Sequence, residues 1–386
     1  MMGRRDPMNK GFEVLPDFER FSQVDDVFSR SWWDRSIRSD KSERFYATYR
    51  RPLTMWRKAN GFTQRDYALR NASWHVSDVF TEMGEDQGRR DGFLDPLSML
   101  RDGPEERVDD LDPDESARQI KNVATVFGAD LVGIAEHDER WVYTERFSAA
   151  TGEAKPNPLP DTVSSVIVIG QAMDQDLIQT APSALSGTAT GLGYSRDAAV
   201  LLGIAQYIKN LGYEAVPSMN DTALAIPLAL AAGLGEYGRH GMVITPEFGA
   251  GLRFGKIFTD LPLAHDGPVQ FGVKAFCEQC NRCADACPAR AIPQGEPVPV
   301  ALNRSGIKGV RKWSVDGEAC FGYWSKINSD CAICVRVCPY TRDYSKPWNR
   351  WWRRLAGTRL RSRMLALDDR LGGGRRLKPT EWWRRG

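Results

Sequence analysis

The chain has 386 residues, 42% of them hydrophobic, which is ordinary for a soluble protein and enough for two or three packed regions. Its 52 basic residues nearly balance 50 acidic ones, for a net charge of +2, so the overall balance points to neither a nucleic-acid binder nor an acidic tail. The longest apolar stretches, 163–173 and 223–235, are too short to cross a bilayer, and Pro227 interrupts the second.

The opening MMGRRDPMNKGFEVLPDFERF holds an arginine pair, but no apolar run follows Arg5. It does not read as an export signal, so the expectation is a cytoplasmic protein, or an exported one whose signal was trimmed. Residues 1–110 are polar and aromatic, end in the acidic DGPEERVDDLDPDESAR, and are expected to cover the rest as an N-terminal region. A core over 111–270 follows. SARQIKNVATVFG has apolar residues at helical spacing and stops at Gly128; DLVGIAEHD reads as a strand and VSSVIVIGQAM as a buried one. SGTATGLGYSRD reads as a glycine-rich loop. Its Gly187, Gly191 and Gly193 do not fit GxGxxG, so no nucleotide site is expected there. The helix DAAVLLGIAQYIKNLGY should start at Ser195 or Asp197 and close at Gly212. A second helix should run from Asn220 or Asp221 to Gly233 or Gly235, and GMVITPEFGAGLRFGKIFTDLPL suggests two strands about a PEFGAG turn.

All eight cysteines fall between 277 and 338, in a region set at 271–345. Such local density reads as metal ligation rather than a disulfide scaffold. Cys277-x2-Cys280-x2-Cys283-x3-Cys287-Pro288 has the spacing of bacterial two-cluster ferredoxins, in which the fourth cysteine serves the other cluster. The second motif, Cys331-x2-Cys334-x3-Cys338-Pro339, lacks a first ligand. Cys320 supplies it across an inserted loop, FGYWSKINSD. Crossed ligation then assigns Cys277, Cys280, Cys283 and Cys338 to one 4Fe-4S cluster, and Cys320, Cys331, Cys334 and Cys287 to the other. A pair of structural zinc sites is the plainer alternative, since Cys-x2-Cys also binds zinc. The tail, 346–386, has 13 Lys and Arg against three acids and five of the 12 tryptophans. It reads as a solvated cover, a membrane-surface or redox-partner patch, or an RNA contact.

The stretch GLGEYGRHGMVITPEFGAGLRFGKIFTDLPL followed by these motifs resembles the corrinoid-dependent reductive dehalogenases. GYSRDAAVLLGIAQYIKNLGYEAVPSMND and FERFSQVDDVFSR upstream, and LALDDRLGGG downstream, extend the likeness; Gly373 and the missing twin-arginine signal depart from it. The resemblance implies an α+β or α/β chain: a cobalamin-binding core of nitroreductase-like type with a C-terminal ferredoxin-like domain for two 4Fe-4S clusters. It further implies a cobalamin held base-off, electrons reaching it through the clusters, and a small organohalide as substrate. No Asp-x-His-x-x-Gly motif is present to supply a lower ligand, and His75, His137, His240 and His265 are scattered. By the same resemblance Tyr194 is the proton donor, Asn220 its polar neighbour and Arg253 the adjacent cation, while Thr245, Pro246 and Phe248 contact the corrinoid. Each has a structural alternative: packing for Tyr194, a helix N-cap for Asn220, an ion pair for Arg253. A redox donor protein or a membrane quinol system is the expected electron source, and no nucleic-acid partner is expected. Epoxyqueuosine reductase, which acts on tRNA, and a non-catalytic iron-sulfur carrier are the competing functions.

Overall fold

Successive residues of a strand point to opposite sides, and SVIVIGQA is apolar on both, so this segment is satisfied only between two layers. The structure, a computed structural model describing residues 12–49, 53, 55–83, 94–109, 111–149 and 151–385, builds those layers. The arginine pair at the start lies outside the described residues. Strands β1 (Leu131–Glu136), β2 (Ser165–Ala172), β3 (Ala215–Ser218) and β4 (Leu252–Thr259) form one sheet in the order β1-β2-β4-β3. Every pairing is antiparallel, with Gln171 opposite Arg253 and Ser218 opposite Lys256. Ile134, Ile167, Ile169 and Ile257 face one buried layer; Val166, Val168, Phe254 and Phe258 face the other. Each such side chain contributes about 1.5–3 kcal/mol on full burial.

Helices cover both faces. Helix α1 (Gln64–Met83), from the expected covering region, lies along α3 (Ala184–Asn210). Helix α2 (Pro113–Phe127) starts at its cap Asp112 and ends where expected, at Gly128, whose φ of 104° only glycine adopts readily. Helix α3 corrects the sequence reading, because the SGTATGLGYSRD segment is its first half and Ser183, not Ser195 or Asp197, caps it. The glycines are there for space. A Cβ on Gly193 would lie 2.7 Å from the Arg253 Cγ, and one on Gly191 2.2 Å from the Ser73 Oγ. Packing of this kind outweighs the roughly 1 kcal/mol each glycine costs a helix.

Helix α4 (Ala225–Ala231) begins after Leu224, later than expected, because the Asp221 carboxylate instead accepts from the Met219 amide at 2.8 Å. The PEFGAG turn does separate two strands, yet they do not pair with each other. Val243–Ile244 pairs with Glu236–Tyr237, whereas β4 joins the main sheet. In the cysteine region, most of the segment read as an inserted loop belongs to helix α5 (Gly317–Ile327), capped by Asp316 and carrying Cys320 in its first turns. Phe321 and Trp324 pack against Phe28, and Phe321 also against Phe45, so one face of the segment is buried as an amphipathic helix requires. The tail folds back as well. Helix α6 (Pro347–Ala356) buries Trp352 against Phe276 and Tyr340 and turns Trp348 and Trp351 outward as a stacked pair. Farther on, the Trp383 indole donates to Asp66 on α1 at 2.9 Å. No helix among the described residues is long and apolar enough to cross a membrane.

Candidate active site and cluster ligands

Tyr194 on α3, Asn220 in the turn after β3 and Arg253 near the start of β4 come from three separate elements and meet at one atom. The Asn220 Nδ2 donates to the Tyr194 hydroxyl at 2.7 Å, and the Arg253 Nη1 donates to it at 3.3 Å. Asn220 is therefore not a helix cap. Its main chain is held in turn by the Tyr143 hydroxyl, which donates to the Asn220 carbonyl at 3.3 Å. Trp74 of α1 stacks on the Tyr194 ring, 4.9 Å between centroids at 24°. All three polar residues line a half-open cavity of about 330 Å³, mostly apolar elsewhere apart from Lys312, with Ala223–Pro227, Met242–Val243 and the 307–315 segment on its walls.

Sequence reasoning missed a charged group beneath this triad. Asp197, one helical turn beyond Tyr194, is fully buried with neither carboxylate oxygen hydrogen-bonded. Burial pushes it up to about 8, opposed by Arg253 and Lys256. Lys256 is likewise buried, donates to the Met219 carbonyl, and is pulled down to about 8 by burial against Asp221 and Asp197. The Arg253 Nε is also buried and unbonded. Buried, under-satisfied polar atoms are uncommon in a native fold, and here they stand next to the residues that converge on Tyr194.

The eight cysteines are all free thiols. Burial raises Cys277 and Cys331 to about 12 and Cys334 to about 11. After burial, the neighbours that push Cys338 upward are Cys277, Cys283 and Cys280, and those that push Cys320 are Cys334, Cys331, Cys287 and Asp316. Cysteines of both motifs thus stand among the neighbours of Cys338 and of Cys320. Cys334 also pushes Cys283 upward, and the charge of Arg253 pulls Cys334 downward. Among the described residues, no three His, Cys, Asp or Glu side chains converge as a single-ion site. The x2-x2-x3 spacing that ends in Cys-Pro is that of two-cluster ferredoxins rather than of zinc sites. Metal coordination would also replace the protons these buried thiols hold.

Arg239 is a second residue the sequence did not disclose. It is 2% exposed, and its guanidinium donates only to main-chain carbonyls: those of Cys277 and Cys280 at 3.1 Å through Nε, and of Pro293 and Gly295 at 2.9 Å through Nη1. It ties the first ligand loop to the segment behind it. An isolated arginine in GLGEYGRHG offers no local signal of that role. Thr245, Pro246 and Phe248 are not brought to the cavity wall. The Thr245 hydroxyl accepts from the Phe248 amide at 3.1 Å within its own turn, and the wall is built from residues on either side of that turn. A closed turn spends its polar groups on itself.

Residues 148–263 match the Reductive dehalogenase subunit family, and residues 276–341 match the 4Fe-4S double cluster binding domain family. A tetrachloroethene reductive dehalogenase of Sulfurospirillum multivorans is 35% identical over 320 residues, covering 75% of this chain and 62% of the relative. Among solved structures, the catabolic reductive dehalogenase NpRdhA superposes with a TM-score of 0.74 at 24% identity, over 96% of this chain and 50% of that one. Another, titled "Reductive dehalogenase structure suggests a mechanism for B12-dependent dehalogenation", gives 0.71 at 23% identity over the same shares. These two likenesses establish the fold. The chain spans 62% of the curated relative and half of each solved structure.

Proposed function

With residues 148–263 belonging to the reductive dehalogenase family and residues 276–341 to the 4Fe-4S double-cluster family, we propose that this chain catalyses the corrinoid-dependent reductive dehalogenation of a small organohalide. The halide leaves as an anion, two electrons enter, and one proton completes the new carbon–hydrogen bond. The observation that carries the reading is the convergence of Asn220 and Arg253 on the Tyr194 hydroxyl at the end of the cavity. With two donors directed at its oxygen, the phenol gives its single hydrogen elsewhere, and both donors then hold the charge left behind. Arg253 does so without competing for the proton, since a guanidinium stays charged.

The cavity suits a bulky apolar ring with polar groups at one end, and walls 223–227 and 241–243 are the surfaces that would hold it. When bound, a corrinoid supplies the reducing cobalt. None of the four histidines is among the cavity's lining residues, so that lining offers no imidazole as a lower ligand. The absence of nitrogen superhyperfine splitting from a lower ligand in the paramagnetic state is the expected signature. An electron path from outside to site is supported by position. A polar surface cavity of about 780 Å³, lined by Cys338, Arg342 and Trp348 among others, opens at the first cysteine set and offers a docking place for a redox donor protein. Cys334 of the second set feels the charge of Arg253.

The test is anaerobic reconstitution with iron, sulfide and cobalamin, reduction, and a screen of chlorinated and brominated alkenes and arenes for halide release. Halide release dependent on both cofactors is expected. Loaded, reducible protein that releases no halide but reduces epoxyqueuosine in tRNA would replace this reading with its competitor.

A further inference from the structure

The cavity that ends at Tyr194 has another charged point that proton transfer does not use. Lys312 lines it too, on the 307–315 segment contributed by the cysteine region. Its main chain is pinned by reciprocal bonds with Val298, amide to carbonyl at 3.3 Å and 3.1 Å, which fixes where its side chain starts. Its ammonium donates to the Ser314 hydroxyl at 3.2 Å, and among the described residues it forms no ion pair. Burial pulls it down to about 8, and no neighbouring acid opposes that pull. The other wall residues of its segment, Ile307, Val310 and Val315, are apolar. A lysine in such surroundings loses hydration without regaining a counter-charge, a cost that an arriving anion offsets.

We propose that Lys312 forms an anion subsite of this cavity for a singly charged oxygen acid on the bound molecule. Two sources share that chemistry: the phosphodiester in the nucleotide loop of a corrinoid, and the phenolate of an acidic organohalide. The proposal rests on the reading that the cavity takes a corrinoid and an organohalide. Lys312 adds charge recognition to that reading, acting at a point distinct from Arg253, whose guanidinium is committed to Tyr194.

The test uses the cluster-reconstituted chain and its Lys312→Met and Lys312→Arg variants. Affinities are titrated spectroscopically for cobalamin and for cobinamide, which lacks the nucleotide loop and its phosphodiester; KM is measured for pentachlorophenolate and its neutral methyl ether. Losing a charge-assisted bond corresponds to a weakening of roughly tenfold or more. If Lys312→Met weakens cobalamin by that factor and spares cobinamide, the phosphodiester is the occupant. If cobalamin binding is unchanged and KM rises for the phenolate alone, the substrate is. Lys312→Arg should largely restore either preference. Equal behaviour of variant and wild type toward all four molecules overturns the proposal, as does an equal loss for all four that arginine does not repair, which would make Lys312 structural. A wild type that binds neither corrinoid would instead overturn the functional reading beneath it.

Discussion

Tyr194 takes hydrogen bonds from an amide and a guanidinium at once, and the two are not equivalent. Asn220 fixes the oxygen's position, whereas Arg253 adds charge and reaches across the ring from 5.2 Å. Arg253→Lys keeps the charge but loses the fork that aims it, so it should retain more turnover than Arg253→Leu, which also strands Asp197 without its nearest guanidinium. Comparable halide-release rates for the two variants would reduce Arg253 to a packing residue. His240 gives a separate, pH-dependent prediction. Burial lowers it from 6.5 to about 4, so the fold holds it neutral while the unfolded chain charges it as pH falls. Its contribution is therefore complete above pH 6.5 and lost as pH drops toward 4, on the order of 2 kcal/mol by about pH 5. His240→Asn should flatten that part of the urea-unfolding profile; parallel profiles for the two proteins would show that His240 is not held neutral. Tyr194, Asn220 and Arg253 were legible because they sit in distinctive stretches. Asp197, Lys256 and Arg239 were not, since an acid on a helix or a cation on a strand ordinarily reads as surface, and only tertiary packing reveals its burial.

At the level of elements, α3 decides the site. Its 27 residues place Tyr194 mid-helix, where Trp74 on one side and Arg253 on the other hold the ring. Gly193→Ala tests that arrangement, because a methyl 2.7 Å from the Arg253 Cγ must displace that side chain. Helix propensity favours alanine by about 1 kcal/mol, whereas overpacking costs about 1–3 kcal/mol. The net expectation is modest destabilisation with a larger loss of halide release, and a stabilised, fully active variant would mean that Arg253 relaxes freely. The contrast with α2 explains what sequence alone could tell. Asp112, Pro113 and Gly128 are local signals, and both ends of α2 follow from them. The first half of α3 carries three glycines whose cause lies in distant residues 73, 253 and 330, so the same letters read as a loop. In α5, the spacing located Cys320 as a ligand but not the helix that presents it.

Across the whole molecule, the match of residues 276–341 to the 4Fe-4S double cluster binding domain sets the expected metal content. About eight irons and eight labile sulfides per chain are expected after reconstitution. Cys320→Ser should lower both to about four and leave the set containing Cys338 spectroscopically intact, since Cys320 stands with Cys287, Cys331 and Cys334. Stoichiometric zinc without labile sulfide would contradict that architecture. The expected pairing is a reading of motif spacing, which is local, whereas the tie that Arg239 makes to the first ligand loop depended on the fold. The most direct measurement of the central claim is the rate of halide release by Tyr194→Phe, determined beside its iron and corrinoid contents. Phenylalanine keeps the ring against Trp74 and removes only the hydroxyl. Turnover should fall on the order of 10²-fold to 10⁴-fold, as for a lost general acid, with both contents unchanged. A Tyr194→Phe protein that releases halide at the wild-type rate would contradict the account.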